Sequence, residues 1–227
     1  MKTTIQKKAT LVLLITVCWN PINLKPVTLS KIPQTFTFGN IDRLLNEKTL
    51  DHTLLEKAII YYTNKVRKER GRKPCEFHLK LRNTARSHSR EMVRLNYFSH
   101  QSPVKANRKL KDRISNAGIN IKPAPGETIV MGENIASDYF LKINKVPYYV
   151  ENRNGKTQYI DAKTEQTITN QTYREFARNT VNNWMNSPGH RKNLLNNQFN
   201  RIGIGVWIGK LNDIPAIYVT QNFMGNH

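Results

Sequence analysis

Ile202-Gly203-Ile204-Gly205-Val206-Trp207-Ile208 alternates branched apolar side chains with glycine and one tryptophan. A period of two over seven residues is that of a half-buried β-strand. Glycine at successive sites on one face leaves part of that face bare, so another element can lie directly on the strand backbone. Gly209 to Asp213 reads as a turn, and Ile217, Tyr218, Val219, Gln221 and Phe223 read as the antiparallel partner. The chain therefore closes in strands.

Upstream the period changes. Leu55, Ile59, Tyr62 and Val66 share one helical face, with Gly71 and Pro74 placed to stop the helix. Leu81, Ala85, His88, Met92 and Leu95 step by four, three, four and three, which predicts a second helix over 77–95 that delivers Tyr97-Phe98-Ser99-His100 at its exit. A third, over 107–117, has Leu110 and Ile114 inward and Gly118 as its cap. Tyr173, Phe176, Ala177, Thr180, Val181 and Trp184 form another stripe, ended by Pro188-Gly189. Tyr148-Tyr149-Val150 and Gln158-Tyr159-Ile160 flank Asn154-Gly155 and predict a hairpin near 146–162, an insertion in the domain. Helices early and strands late predict an α+β fold rather than a parallel α/β one.

At 227 residues and 38% hydrophobic content the chain supports one domain with a sizeable core and flanking segments. Residues 1–20 join Lys2, Lys7 and Lys8 to the apolar run Ala9–Trp19, the pattern of a signal peptide, too short to span a bilayer. Residues 21–50, with Pro21, Pro26 and Pro33, read as a lead-in or linker, and the domain proper as 51–227. The leader-like start points to a secreted or cell-envelope protein, extracellular or periplasmic, and no later apolar run reaches transmembrane length. Leader removal takes Cys18 and leaves Cys75 alone, a small buried hydrophobe rather than a nucleophile. The net charge is +20, and since the leader carries three lysines and no acid its loss leaves +17. Such a field favours a lipid headgroup, a cell-wall polymer or another anionic ligand, the competing reading being a solvated basic surface. The basic residues cluster in 65–73, 105–113 and 191–192 without a nucleic-acid-binding motif, which makes nucleic acid the weaker candidate.

Three segments carry chemistry: Tyr97 to His100, Gly132-Glu133-Asn134-Ile135-Ala136, and Trp184 to Arg191. Ser187 suits an N-cap and Pro188 a first helical position, so His190 falls in the opening turn of a short helix, where the dipole favours neutral imidazole. A plain surface histidine is the competing reading. Glu133 is the sole acid between Thr128 and Ser137, and a carboxylate in so apolar a stretch needs a partner; the competing reading is a turn carboxylate. Gly132–Ala136 reads as a strand end or tight turn. Asn134, Arg191 and Asn193 read as positioning groups. His88 sits on an apolar stripe as a hydrogen-bonded core imidazole, and His52, His78 and His227 have no supporting context. Dinucleotide, phosphate-loop, HExxH and CxxC patterns are absent from the sequence.

In this order the three segments resemble the CAP superfamily (cysteine-rich secretory, antigen and pathogenesis-related proteins), and most closely its short bacterial SCP-like branch. The resemblance covers roughly Leu55 to Met224. It implies an α-β-α three-layer sandwich with a small antiparallel sheet, and a cleft in which His100, Glu133 and His190 meet, supported by Asn134, Ser187 and Arg191. It also implies a divalent cation such as zinc held by His100, His190 and Glu133. Many eukaryotic members carry a second glutamate three residues after the tryptophan that matches Trp184; here that residue is Ser187. Two functions follow: a secreted module binding an envelope, lipid or other anionic ligand beside the cleft, or a metal-assisted hydrolase with Glu133 as the catalytic candidate.

Overall fold

The computed structural model describes residues 39–143 and 146–226; the expected leader and most of the expected lead-in lie outside the described residues. The helices are α1 (His52–Glu69), α2 (Leu79–Arg94), α3 (Leu110–Asn116), α4 (Tyr173–Asn186) and α5 (Pro188–Leu194). The strands are β1 (Glu76–Phe77), β2 (Ile129–Tyr139), β3 (Tyr148–Arg153), β4 (Lys156–Asp161), β5 (Arg201–Leu211) and β6 (Ile214–Asn226). The main sheet runs β1-β5-β6-β2, with β1 parallel to β5 and the other pairs antiparallel. Strands β3 and β4 form the predicted separate hairpin.

Helix α2 lies on the bare face of β5. A Cβ added at Gly203 would stand 2.2 Å from the Arg82 backbone nitrogen, and at Gly205 1.9 Å from that of Arg86, so only glycine admits the helix at this depth. The other β5 face places Ile202, Ile204 and Val206 with Val219 and Phe223 of β6 against α1 and α4, in the main core that includes Leu55, Ile59, Phe176 and Trp184. Leu194 of α5 joins that core, whereas Ile114 of α3 packs with Leu81 and Met224 on the α2 side. The fold is thus α+β in three layers, helices either side of one sheet.

Both sheet edges are closed by side chains rather than strands, which denies them to further pairing. On the β2 edge the Trp184 indole donates to the Ile135 carbonyl at 3.0 Å and the Asn193 amide to that of Glu133 at 3.0 Å. Past the end of β1, the Val206 amide donates to Glu56 Oε1 at 3.3 Å, and His52 Nδ1 lies 3.1 Å from the Val206 carbonyl.

Four expectations are corrected in detail. Packing starts before Asp51: Ile41 and Leu45 are buried in the main core, and the Leu45 amide donates to the Gln171 carbonyl at 2.8 Å. Asp51 instead caps α1, accepting from the Leu54 amide at 2.9 Å. Gly132–Ala136 is no turn but the middle of the eleven-residue β2, paired throughout with β6. The β5–β6 turn shrinks to Asn212 and Asp213, with φ of 50° and 64°, a primed two-residue connection matching the strand twist. The third helix starts at Leu110, after a separate 3₁₀ turn at Lys105–Asn107.

One buried cation ties the α5 layer down. The Arg67 guanidinium donates to the carbonyls of Lys73 (2.9 Å), Leu194 (2.7 Å), Asn196 (3.1 Å) and Phe199 (2.9 Å), fixing the C-terminal end of α5 against α1. Cys75 is buried, and burial pushes its thiol up to about 11, in keeping with a packing role.

Candidate functional site

Because β2 is an edge strand, elements from both faces of the sheet reach around it at the same point. Pairing of Glu133 with Asn222, itself paired with Gly203, puts the Glu133 side chain on the α2 face, while Asn134 faces the opposite way with Gln221. Gly132 leaves room for the Phe199 ring, from which a Cβ would stand 2.6 Å.

The Glu133 carboxylate is 4% exposed and both its oxygens are engaged. Oε1 accepts from His100 Nδ1 at 3.0 Å, and Oε2 accepts from Arg113 Nη2 at 2.6 Å, the Arg113 side chain being 4% exposed as well. The same guanidinium donates to the carbonyls of His100 (3.2 Å) and Asn107 (2.9 Å), so it fixes the loop that carries His100. Burial alone would raise the Glu133 pKa, but the His100 bond and the Arg113 charge outweigh it and hold the group below its ordinary value. An ionised carboxylate only accepts, so His100 Nδ1 carries the proton of this bond, and Nε2 takes no part in it. The His100 side chain is 52% exposed.

Behind this pair lies His88, with Nε2 3.1 Å from the Ser99 carbonyl and 3.9 Å from Glu133 Oε1. Burial draws its pKa down despite the attraction of Glu133. Tyr97 Oη is 3.4 Å from His88 Nδ1 and donates to Glu91 at 2.9 Å, and Glu91 also accepts from Asn107 at 3.0 Å. The Tyr97–His100 segment is therefore seated on a polar network of α2.

From the other face comes His190. Its ring centroid lies 6.4 Å from that of His100, the planes tilted 49°, and its backbone carbonyl accepts from Asn134 Nδ2 at 3.3 Å. Its pKa is lowered, first by burial and then by His100. Ser187 stands at the N-cap position but makes no side-chain cap bond, and Arg191 turns to the Met185 carbonyl at 3.2 Å, joining α5 to α4. A chain of amides holds α5 in place: Asn193 donates to Asn134, Asn134 to Gln221 and Gln221 to Thr63, each at 2.9 Å.

The three named residues do converge, but as an ion-paired carboxylate with two imidazoles. Among the described residues no group of three His, Cys, Asp or Glu is arranged to hold a metal ion. The contacts give the reason: a guanidinium takes one oxygen of Glu133 and a ring N–H the other, so a third ligand is not on offer without breaking a buried ion pair. The residues do not fit the implied three-ligand centre. Sequence reasoning passed over Arg113, seeing only a basic stretch; its signal was a place beside Ile114 on the inward side of a short helix begun by Leu110.

An α-β-α layered domain with a His/Glu cluster at its sheet edge is the class of protein so defined. Residues 60–223 match the Cysteine-rich secretory protein family, CAP, and the chain belongs to that family. It is 33% identical over 150 residues (66% of this chain, 41% of the relative) to YkwD of Bacillus subtilis strain 168. It is 30% identical over 172 residues (76% and 35%) to YlbC of the same strain, described as a membrane protein. The chain thus spans less than half the length of these relatives. Among solved structures, an extracellular protein containing an SCP domain from Bacillus anthracis is similar, with TM-score 0.50 and 26% identity over 77% of this chain and 41% of that one. The bacterial SCP-like branch suggested by the sequence is thereby shown. Among the described residues no helix is long and apolar enough to cross a membrane.

Proposed function

We propose that this protein is a secreted binding module whose cleft takes an anionic group of an envelope ligand, a wall polymer or lipid headgroup, between His100 and His190. The observation that carries the reading is the internal neutralisation of Glu133. With Arg113 and His100 already on its two oxygens, the carboxylate does not repel an incoming anion, and the mouth of the cleft presents two imidazoles. The strongly positive chain adds long-range attraction. A leader-like N-terminus and likeness to an extracellular SCP-domain protein support export. The hydrolase alternative needs Glu133 as base, and a carboxylate held below its ordinary pKa by the His100 hydrogen bond and the Arg113 charge is poorly matched to that task.

The test is an NMR titration of the His100 and His190 ring protons with inorganic phosphate, glycerol phosphate and acetate. Saturable shifts in both rings, weakened by salt, are expected, with the His190 shift much reduced in His100→Ala and the His100 shift much reduced in His190→Ala. Rings that do not respond to any of the three anions refute the proposal.

A further inference from the structure

The basic stretches 65–73, 105–113 and 191–192 are far apart in sequence and together hold thirteen lysines and arginines against two acids. The fold sets them end to end. Arg67, buried, joins the first stretch to α5 through the carbonyls of Lys73, Leu194 and Asn196. From Leu194, helix α5 then runs about 6 Å back to His190, whose ring adjoins His100. Arg113, buried beneath, links His100 to Asn107 and Arg108 at the start of the remaining stretch. The exposed cations of these stretches are Lys68, Arg70 and Lys73 at one end, Lys192 in the middle, and Lys105, Arg108, Lys109 and Lys111 at the other. The two acids are taken up locally: Glu69 lies 3.7 Å from Lys65, and Asp112 accepts from the Lys109 amide at 2.9 Å.

We propose that a linear polyanion with repeated phosphate charges lies along this band and crosses the cleft between the two imidazoles. The inference rests on the anionic reading of the cleft and extends it from a single group to a polymer. Cations delivered by three segments and spread along a surface suit a ligand with repeated charge better than one small anion. Sequence-tolerant binding of single-stranded nucleic acid relies on aromatic stacking platforms, and among the described residues the exposed aromatic residues Phe77, Phe98 and Tyr148 lie outside all three stretches, Phe98 alone falling near His100.

The test is an anisotropy titration of the full chain with dye-labelled polyphosphate of two lengths, one able to fill the cleft alone and one able to cover the band, over a salt series. The longer polymer binds at least ten-fold more tightly. Lys68→Gln, Arg70→Gln and Lys73→Gln together, exposed and outside the cleft, remove most of that advantage and flatten the slope of log K against log salt by about two, at roughly 0.7 per lost contact. Equal affinity for both lengths, or a triple variant with the parent's slope, overturns the band. The cleft reading is judged apart from it, by whether His100→Ala with His190→Ala abolishes binding of the short polymer. A single-stranded oligodeoxynucleotide that binds as tightly as polyphosphate of equal charge also overturns the proposal, assigning the band to nucleic acid.

Discussion

Replacing Arg113 by methionine keeps an unbranched side chain of similar reach and removes the guanidinium that neutralises Glu133. In the folded protein this strands a carboxylate whose side chain is 4% exposed, with His100 as its one close remaining donor. Breaking a buried ion pair from one side costs about 3–5 kcal/mol; since His100 stays and the loop carbonyls of His100 and Asn107 can take up water, we expect about 3 kcal/mol at pH 7. For a domain of this size that lowers Tm by about 6–12 °C. The loss is pH-dependent, because the stranded carboxyl can escape by binding a proton, so the gap between parent and variant narrows on acidification. Adding Glu133→Gln removes the stranded charge and recovers more than half of the loss. The assay is urea denaturation of parent, both single variants and the double variant at pH 7 and pH 4.5. A cost under about 1 kcal/mol at pH 7, or a double variant no more stable than Arg113→Met alone, would show that the guanidinium is not what keeps Glu133 ionised in the fold.

Gly205→Ala places a Cβ 1.9 Å from the Arg86 backbone nitrogen, and since a helix backbone cannot step aside cheaply the cost is at least about 3 kcal/mol, read by thermal melting. His88, whose pKa is drawn down by burial, binds fewer protons folded than unfolded, so it contributes stability that is present above about pH 6.5 and lost as pH falls further. A Tm profile from pH 7.5 to 5 is then flatter for His88→Gln than for the parent, and parallel profiles count against the assignment. Zinc at ten-fold molar excess leaves Tm of the parent within about 1 °C, because Glu133 is committed to Arg113; a rise of several degrees that disappears in His100→Ala shows that a metal does compete for the site.

The amino-acid sequence alone determined the elements and their class. Periods of 3.6 and 2 place α1, α2, α4 and the paired strands β5 and β6, because amphipathic burial writes itself into local spacing. It also determined where the sheet is bare: Gly203 and Gly205 announce a close neighbour, and α2 is that neighbour. Asn154-Gly155 set the hairpin turn, both residues at positive φ. What remained hidden depended on pairings between distant segments, which leave no local period. Ile41 and Leu45 look like scattered apolar residues until Gln171 and the main core give them partners. Arg113 looks like one more surface cation until α3 packs over β2 and sets it on Glu133. Which sides of β2 supply the cleft was likewise settled by the tertiary structure, since only an edge strand lets the loop after α2 and the start of α5 meet around it. The physical reason is common to all three: burial of a charge or of an isolated apolar side chain is decided by what folds against it, and that is fixed by long-range packing rather than by the neighbours in sequence.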